Sequence, residues 1–417
     1  MYINSIKHLN QIVPTDIINA NQFCVQISGV TTILDKDILC DLFDYIYDQY
    51  LKNCDDQHLK KEVLFPLSSK ILRKNYGNPY TKYMQYFIDN AYINLILKGI
   101  KGERCRQYKL VDWKIERTEL IHHVNKSPKL ITKQNKNRLK SDYGNSPYSK
   151  KLKGAIAKNL EAIRIQKEPA ISYLKTLYPN PMDRKYLRNY NSILNIDDGN
   201  IYMTCDDFGR IHTNFTTLKR ELRNQFLIID NEPLEEVDIK NSQPLFFLYL
   251  LCKNLNNSID KEELLQFKSD VLNGLIYDKL ASFSKVTRYK MKTIFFKFLF
   301  GKSGTKCKAF TRYYPSITDF INNYKTENNY EHLSHQLQKL EGEFVFKKIC
   351  TELNLQKIKY FTVHDSIYVK ESDYQYLKII FDKHLNKLKQ NITDNLENYY
   401  HISYNSLSHQ MGNVSYS

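Results

Sequence analysis

The sequence predicts an α+β protein of several domains, and three observations carry that expectation. The chain's 417 residues exceed what one hydrophobic core holds, since single cores stop growing near about 250 to 300 residues. Apolar residues recur at helical spacing in Tyr80 to Ile96 and in Arg288 to Phe300. Short runs rich in β-branched and aromatic residues, above all Phe361 to Val369, alternate with that helical text and read as strands.

Charge narrows the partner class. Lys and Arg number 61 against 45 Asp and Glu, a surplus of +16 that attracts a polyanion over long range. Nucleic acid is the expected partner, although a basic surface without a specific ligand fits composition equally well. The 32 Tyr and 21 Phe accompany frequent Lys and Asn, which an A+T-rich coding sequence explains as readily as base stacking, so aromatic content decides nothing. The eight Cys are scattered with no C-x-x-C pair, which implies neither a zinc site nor a disulfide framework and fits a reducing compartment. With no run of about 18 apolar residues and no basic-then-apolar start, the chain reads as soluble and cytoplasmic, with no membrane partner.

Along the chain, residues 1–112 read as an N-terminal domain. Within it, Val63 to Asn75 predicts a helix ending near Gly77, Tyr80 to Ile96 a second helix, and Leu97 to Leu110 a Gly-containing β-hairpin. This order over 63–111 resembles a winged helix, and the basic tip formed by Lys98, Lys101, Arg104 and Arg106 suits duplex phosphates; a plain three-element packing module explains the same pattern. Residues 113–147 read as a linker or mobile loop, because Ile115 to Asn145 is polar and without periodicity. Tyr148 to Leu177 predicts one long basic helix, closed by Pro179 and Pro181. Gly301-Lys302-Ser303 superficially suggests a phosphate-binding loop, but Phe296 stands where that motif needs Gly.

Three later segments carry chemistry suited to phosphoryl transfer, which needs carboxylates for divalent metals and cations for a triphosphate. Glu235 to Ile239 reads as a strand delivering Asp238 to its end, before Asn241, Ser242, Gln243 and Pro244 turn the chain into the apolar run Leu245 to Leu251. A surface Asp capping a helix fits that segment as well. In Phe361 to Val369, the pair His364-Asp365 interrupts an apolar hairpin, and a carboxylate buried among β-branched residues needs a cation, a metal or a turn position. Arg288, Lys292 and Phe296, spaced i, i+4, i+8, share one helix face that offers two cations and a ring in line.

In this order the segments resemble motifs A, B and C of the A-family (Pol I-like) DNA polymerases and their relatives, the single-subunit phage-type RNA polymerases. Arg288, Lys292, Thr293, Ile294, Phe296, Phe300 and Gly301 fall on the pattern R-x3-K-T-I-x-F-x3-Y-G, with Phe300 in place of Tyr. Upstream, Phe208 to Thr213 is similar to T-G-R-L-S-S, and Arg223 to Phe226 to R-R-A-F. The resemblance covers 200–375. It implies a right-hand polymerase: 148–200 as thumb-like helices, 201–258 as palm with motif A, 259–310 as fingers with motif B, and 311–417 as palm with motif C and a C-terminal helix.

The resemblance also implies roles. Asp238 and Asp365, with the Ile239 backbone carbonyl, would bind two Mg²⁺, for which Mn²⁺ substitutes. Lys292 would sit on the phosphates and protonate pyrophosphate, Arg288 would grip the γ-phosphate, and Phe296 would lie against sugar and base. Phe300 and Gly301 would pack near the templating base, Arg210 and Arg223 would touch the primer-template backbone, and His364 the primer end. The expected activity is dNTP addition to a primer on a DNA template, without 3′ to 5′ editing, as in short polymerases of phages and cassette-type mobile elements. Priming, assisted by a small accessory protein at the N-terminal half, is a further hypothesis.

Two departures bear on the sugar: Gln243 stands where the DNA polymerases usually have Glu, and Ser366 replaces the Glu that often follows the motif C Asp. His364-Asp365-Ser366 is also the wording of the RNA polymerases, so an RNA polymerase or primase is the first alternative. A non-catalytic DNA-binding replication protein is the second.

Overall fold

The computed structural model describes residues 9–53, 63–100, 104–111, 120–141, 147–181, 183–255 and 258–411. Lys101, one of the expected wing-tip cations, lies outside the described residues. The chain is α+β, with helices predominating over small antiparallel sheets. It forms two compact units that interleave in sequence: Met1–Gly144, Ala157–Thr204 and His212–Leu234 make the first, and Asn145–Ile156, Cys205–Ile211 and Glu235–Ser417 the second.

In the first unit, the helix Lys36–Asn53 buries Leu39, Phe43, Ile46 and Tyr50 at helical spacing. Phe43 meets Phe87 and Tyr92, and Tyr50 meets Phe65, with ring centroids about 6 Å apart. The strand Phe65–Leu67, the helices Ser69–Tyr76 and Tyr80–Asp89, and the strands Ile93–Leu97 and Arg106–Leu110 follow. Arg106–Leu110 runs in the middle of their sheet, antiparallel to both neighbours.

Both helix expectations here were too long. Pro66 has no N–H to give a helix, so Phe65–Leu67 pairs as a strand and Ser68 caps the shortened helix, accepting from the Ile71 amide. The second helix stops at Asp89, where Ala91 takes a positive φ of 55° and Ile93 enters the sheet opposite Leu110. The presumed linker also contains structure: Leu120–Asn125 pairs antiparallel with Leu9–Pro14, and Pro128–Ser141 is helical. A strand whose partner lies over a hundred residues away leaves little local trace.

The predicted helix from Tyr148 to Leu177 is instead two helices, Lys150–Leu160 and Lys167–Leu177, separated by the strand Ile163–Ile165. Ile163 and Ile165 are buried and Arg164 between them is exposed, a period of two that wins over helical continuation by pairing with Leu227–Ile229.

The second unit contains the expected motif segments. Its three-stranded sheet has Ser366–Lys370 between Leu234–Val237 and Tyr360–Val363. Phe361 and Tyr368 stack at 4.6 Å across the hairpin. The helix Ser242–Lys253 is buried nearly all round, with Phe246 on Phe344 and Phe247 on Phe267. The helix Arg288–Phe300 buries Met291, Phe295, Phe298 and Leu299 and leaves the opposite face open. The helix Tyr330–Gly342 continues into a π-helical segment, Glu343–Ile349.

Tyr148 belongs to this unit. Its hydroxyl donates to the Gly209 carbonyl at 2.6 Å, and its ring lies 5.2 Å from Phe346. A Cβ on Gly342 would stand 2.6 Å from that hydroxyl, and one on Gly209, whose φ is +86°, 2.5 Å from it, so both positions require glycine.

Candidate active site

The site is built on the three-stranded sheet of the second unit. After the strand Leu234–Val237 the chain exposes Asp238, buries Ile239, and reverses through Asn241, which takes a left-handed φ of 54° at the start of the helix Ser242–Lys253. Asn tolerates that conformation better than most residues, and Pro244 sits in the first helical turn, where its missing N–H costs nothing.

Asp365 comes from the tight turn between Tyr360–Val363 and Ser366–Lys370. His364, the first turn residue, has φ +58°, a position that two-residue hairpins usually give to Gly. It is exposed, while Asp365 is half-buried. Ser366 donates to the Asp238 carboxylate at 3.2 Å, which ties the two carboxylate-bearing strands together. Burial, followed by the negative charges of Glu341 and Asp238, pushes the Asp365 carboxyl up to about 7.

Glu341, at the end of the helix Tyr330–Gly342, was not singled out by the motifs. Its buried carboxylate accepts from Ser242 Oγ at 2.7 Å, Gln243 Nε2 at 2.5 Å and the Arg210 guanidinium at 3.3 Å. The legible signal was its spacing: Leu333, Leu337 and Glu341 fall i, i+4, i+8 on one buried stripe, where a carboxylate is out of place. Arg210 is set by its own turn, in which Asp206 accepts from the amides of Phe208 and Arg210 while Phe208 stacks on His335 at 3.8 Å.

The cationic face lies on the helix Arg288–Phe300, whose Thr287 cap accepts from the Lys290 amide. Arg288 reaches Asp278 at 3.2 Å and the Asn241 side-chain oxygen at 3.4 Å, and stacks over Tyr277 at 5.5 Å. Lys292 is exposed and stands 5.5 Å over the Phe296 ring. Phe296 and Phe300, 5.5 Å apart, line an open cleft with Thr293, Lys297, Gly301 and Thr305. A Cβ on Gly301 would run into the Lys297 carbonyl.

Tyr277, on whose ring Arg288 stacks, was also missed. It is 1% exposed, and its hydroxyl has no hydrogen-bond partner among the described residues. Burial pushes that hydroxyl up, with Arg288 pulling it down and Asp365 pushing it up further, so both groups act on it. Nothing in the local sequence distinguishes Tyr277 from a core aromatic.

The second unit thus contains Asp238, Asp365, Gln243, Arg288, Lys292, Phe296, Phe300, Gly301, Arg210 and His364, with side-chain contacts joining the Asp238 and Asp365 segments and the Arg288 helix to Asn241. Arg223 lies in the first unit, 8% exposed, with its guanidinium on the carbonyls of Phe215 at 2.9 Å and Leu218 at 2.6 Å. That geometry braces the chain's own backbone. Lys98 and Arg104 are exposed on the first unit's hairpin, where Arg104 donates to the Lys98 carbonyl at 3.2 Å.

Among the described residues, no three or more His, Cys, Asp or Glu side chains form a metal-holding group. Asp238 and Asp365 remain a pair of hard oxygen donors whose mutual repulsion a divalent cation would relieve, a fit to Mg²⁺ with its few protein carboxylates. Compared with known proteins, the chain matches no family model and no curated protein.

Proposed function

We propose that the chain is a template-dependent DNA polymerase of the right-hand type, with the sheet bearing Asp238 and Asp365 as palm and the helix Arg288–Phe300 as part of the fingers. The observation that carries this reading is one chain of contacts. Asp238 is tied to the Asp365 hairpin through Ser366, and Asn241, three residues after Asp238, accepts from Arg288 on the cationic helix.

When bound by the two carboxylates, Mg²⁺ or Mn²⁺ supplies activation of a primer 3′-hydroxyl and neutralises charge on pyrophosphate. Arg288 and Lys292 bind the triphosphate and offset its charge, Lys292 being placed to give a proton to the leaving group. Phe296 and Phe300 supply apolar surface for the base and exclude water from it. Arg210, held by Glu341, presents a cation to the primer-template backbone.

The first unit would add affinity for DNA. Its order of helix, strand, two helices and hairpin, with the last strand in the middle of the sheet, supports reading it as a winged helix. The second helix of that pair is partly covered, as Phe23 packs on Tyr86 and Lys82 donates to Thr32. Lys98, Arg104 and Arg106 on the hairpin are exposed for phosphates.

Extension of a labelled primer-template, with dNTPs and rNTPs in parallel, tests the proposal. The wild-type chain should extend with dNTPs and Mg²⁺, and Asp238→Asn should not. Incorporation by Asp238→Asn at the wild-type rate would refute the assignment, and DNA binding without incorporation by the wild type would favour a replication protein that binds only.

A further inference from the structure

Between Asp278 and Asp319 the sequence has ten Lys and Arg and no Asp or Glu, so much of the chain's surplus of +16 is gathered in one stretch. Nine of the ten are exposed; Lys279 is half-buried and bridges to Asp270 at 2.6 Å. Arg288 and Lys292 suffice for a triphosphate, which leaves most of that charge without a role in nucleotidyl transfer.

The stretch has two sides. The open face of the helix Arg288–Phe300 carries Arg288, Lys292 and Phe296, while its buried face is covered by the helices Ile276–Ser284 and Lys308–Tyr313. Phe295 lies 5.6 Å from Tyr277 and 5.4 Å from Phe310, and Phe298 lies 5.3 Å from Phe310. The two covering helices therefore sit behind the face that carries Arg288 and Lys292. Their own surface holds Phe283 and Tyr313, 46% and 37% exposed, edge to face at 5.6 Å. Lys279 stands 4.7 Å over the Tyr313 ring. Exposed Lys285 follows Phe283 by two residues, exposed Arg312 directly precedes Tyr313, and exposed Lys308 lies one helical turn before Arg312.

Two exposed rings bracketed by cations, with no carboxylate in the same stretch of chain, fit a polyanion that carries free bases. A duplex keeps the faces of its bases inside its own stack, so it can meet the cations and not the rings. A single strand meets both. An acidic protein would satisfy the cations and would give the rings nothing particular to stack on.

We propose that the surface around Phe283 and Tyr313 is a second nucleic-acid site, holding single-stranded DNA behind the nucleotide face. The choice of DNA over RNA rests on the nucleotidyl-transfer reading above; the binding itself requires no catalysis.

Fluorescence anisotropy of labelled oligo(dT) of about 12 nucleotides, with an unlabelled hairpin primer-template saturating the catalytic face, tests it. The wild-type chain should still bind the oligonucleotide, and Phe283→Ala combined with Tyr313→Ala should weaken that binding by about tenfold or more, the loss expected of stacked bases. Lys285→Gln combined with Arg312→Gln keeps the rings and should flatten the slope of log K against log salt concentration by about 1.4, two single-strand phosphates' worth. Should the ring variant lower the melting temperature, the charge variant alone decides. Complete displacement of oligo(dT) by the hairpin overturns the proposal, as does a loss of less than about threefold in a folded ring variant. An unchanged salt slope in the charge variant also overturns it and leaves the surface to an acidic protein or to solvent. Tighter binding of oligo(rU) than of oligo(dT) overturns the assignment to DNA. If the wild type extends no primer and yet binds oligo(dT) in this pattern, the polymerase reading falls and this surface stands.

Discussion

Ser366 gives its hydroxyl hydrogen to Asp238 across 3.2 Å, and Ser366 is the residue directly after Asp365. One short side chain therefore holds in register two carboxylates that are distant in sequence and that repel each other. Such an arrangement stores unfavourable electrostatics, and the first prediction reads that cost.

The Asp365 carboxyl titrates near about 7 in the folded chain, above its ordinary value, so the folded state binds a proton that the unfolded state has released. Its contribution to stability is complete below about pH 4 and is lost as pH rises through about 7. The metal-free protein should lose melting temperature across that window. Asp365→Asn should flatten the profile and melt about 2–4 °C higher at pH 8, while losing all nucleotide incorporation. Added Mg²⁺ should raise the wild-type melting temperature more at pH 8 than at pH 5.5, because the metal competes with the proton. Calorimetry at several pH values, with and without metal, measures all three.

His364 occupies a positive φ that costs a non-glycine residue about 1–2 kcal/mol. His364→Gly should therefore stabilise the chain in denaturant titrations. It should also weaken primer extension, because the exposed imidazole beside Asp365 is lost. Unchanged activity would reduce His364 to a turn residue.

The Tyr277 hydroxyl is buried without a hydrogen-bond partner among the described residues, and Arg288 stacks on its ring. Tyr277→Phe should leave stability unchanged or raise it by up to about 1 kcal/mol, since an unsatisfied buried hydroxyl contributes nothing to the fold. Because Arg288 rests on the ring, which Phe retains, this variant should leave the KM for dNTP unchanged, whereas Tyr277→Leu should raise it with little change in kcat. Steady-state kinetics that show kcat falling alone would place the hydroxyl nearer to the chemical step.

Gly342 and Tyr148 should be energetically coupled. Gly342→Ala pushes a methyl onto the Tyr148 hydroxyl and should destabilise by about 2–3 kcal/mol, within the range for overpacking. In a Tyr148→Phe background that hydroxyl is gone, and the penalty should shrink by about 1 kcal/mol or more in a double-mutant cycle.

The parts of the site written as local patterns were legible in the sequence: Arg288, Lys292 and Phe296 by helical spacing, and Asp365 as a charge in an apolar hairpin. Glu341 was legible only as a carboxylate on the buried stripe of Leu333 and Leu337; its partners Ser242 and Gln243 lie 99 and 98 residues away, and no local pattern encodes that meeting. The same reason hid the strands Leu120–Asn125 and Ile163–Ile165, which look polar or helical until distant segments pair with them. Arg223 shows the converse, a motif-like Arg whose guanidinium is spent on two backbone carbonyls.

The interleaving of the two units constrains how the protein can be made. A fragment that starts at Glu235 would contain both aspartates but neither Tyr148 nor Arg210, so it would lack the clasp on Gly209 and the cation on Glu341. On the ribosome the ring of Tyr148 emerges early and waits for Gly342 and Phe346, which appear only with the last quarter of the chain. The second unit is therefore completed late in synthesis, after the first unit has already had its whole sequence to fold.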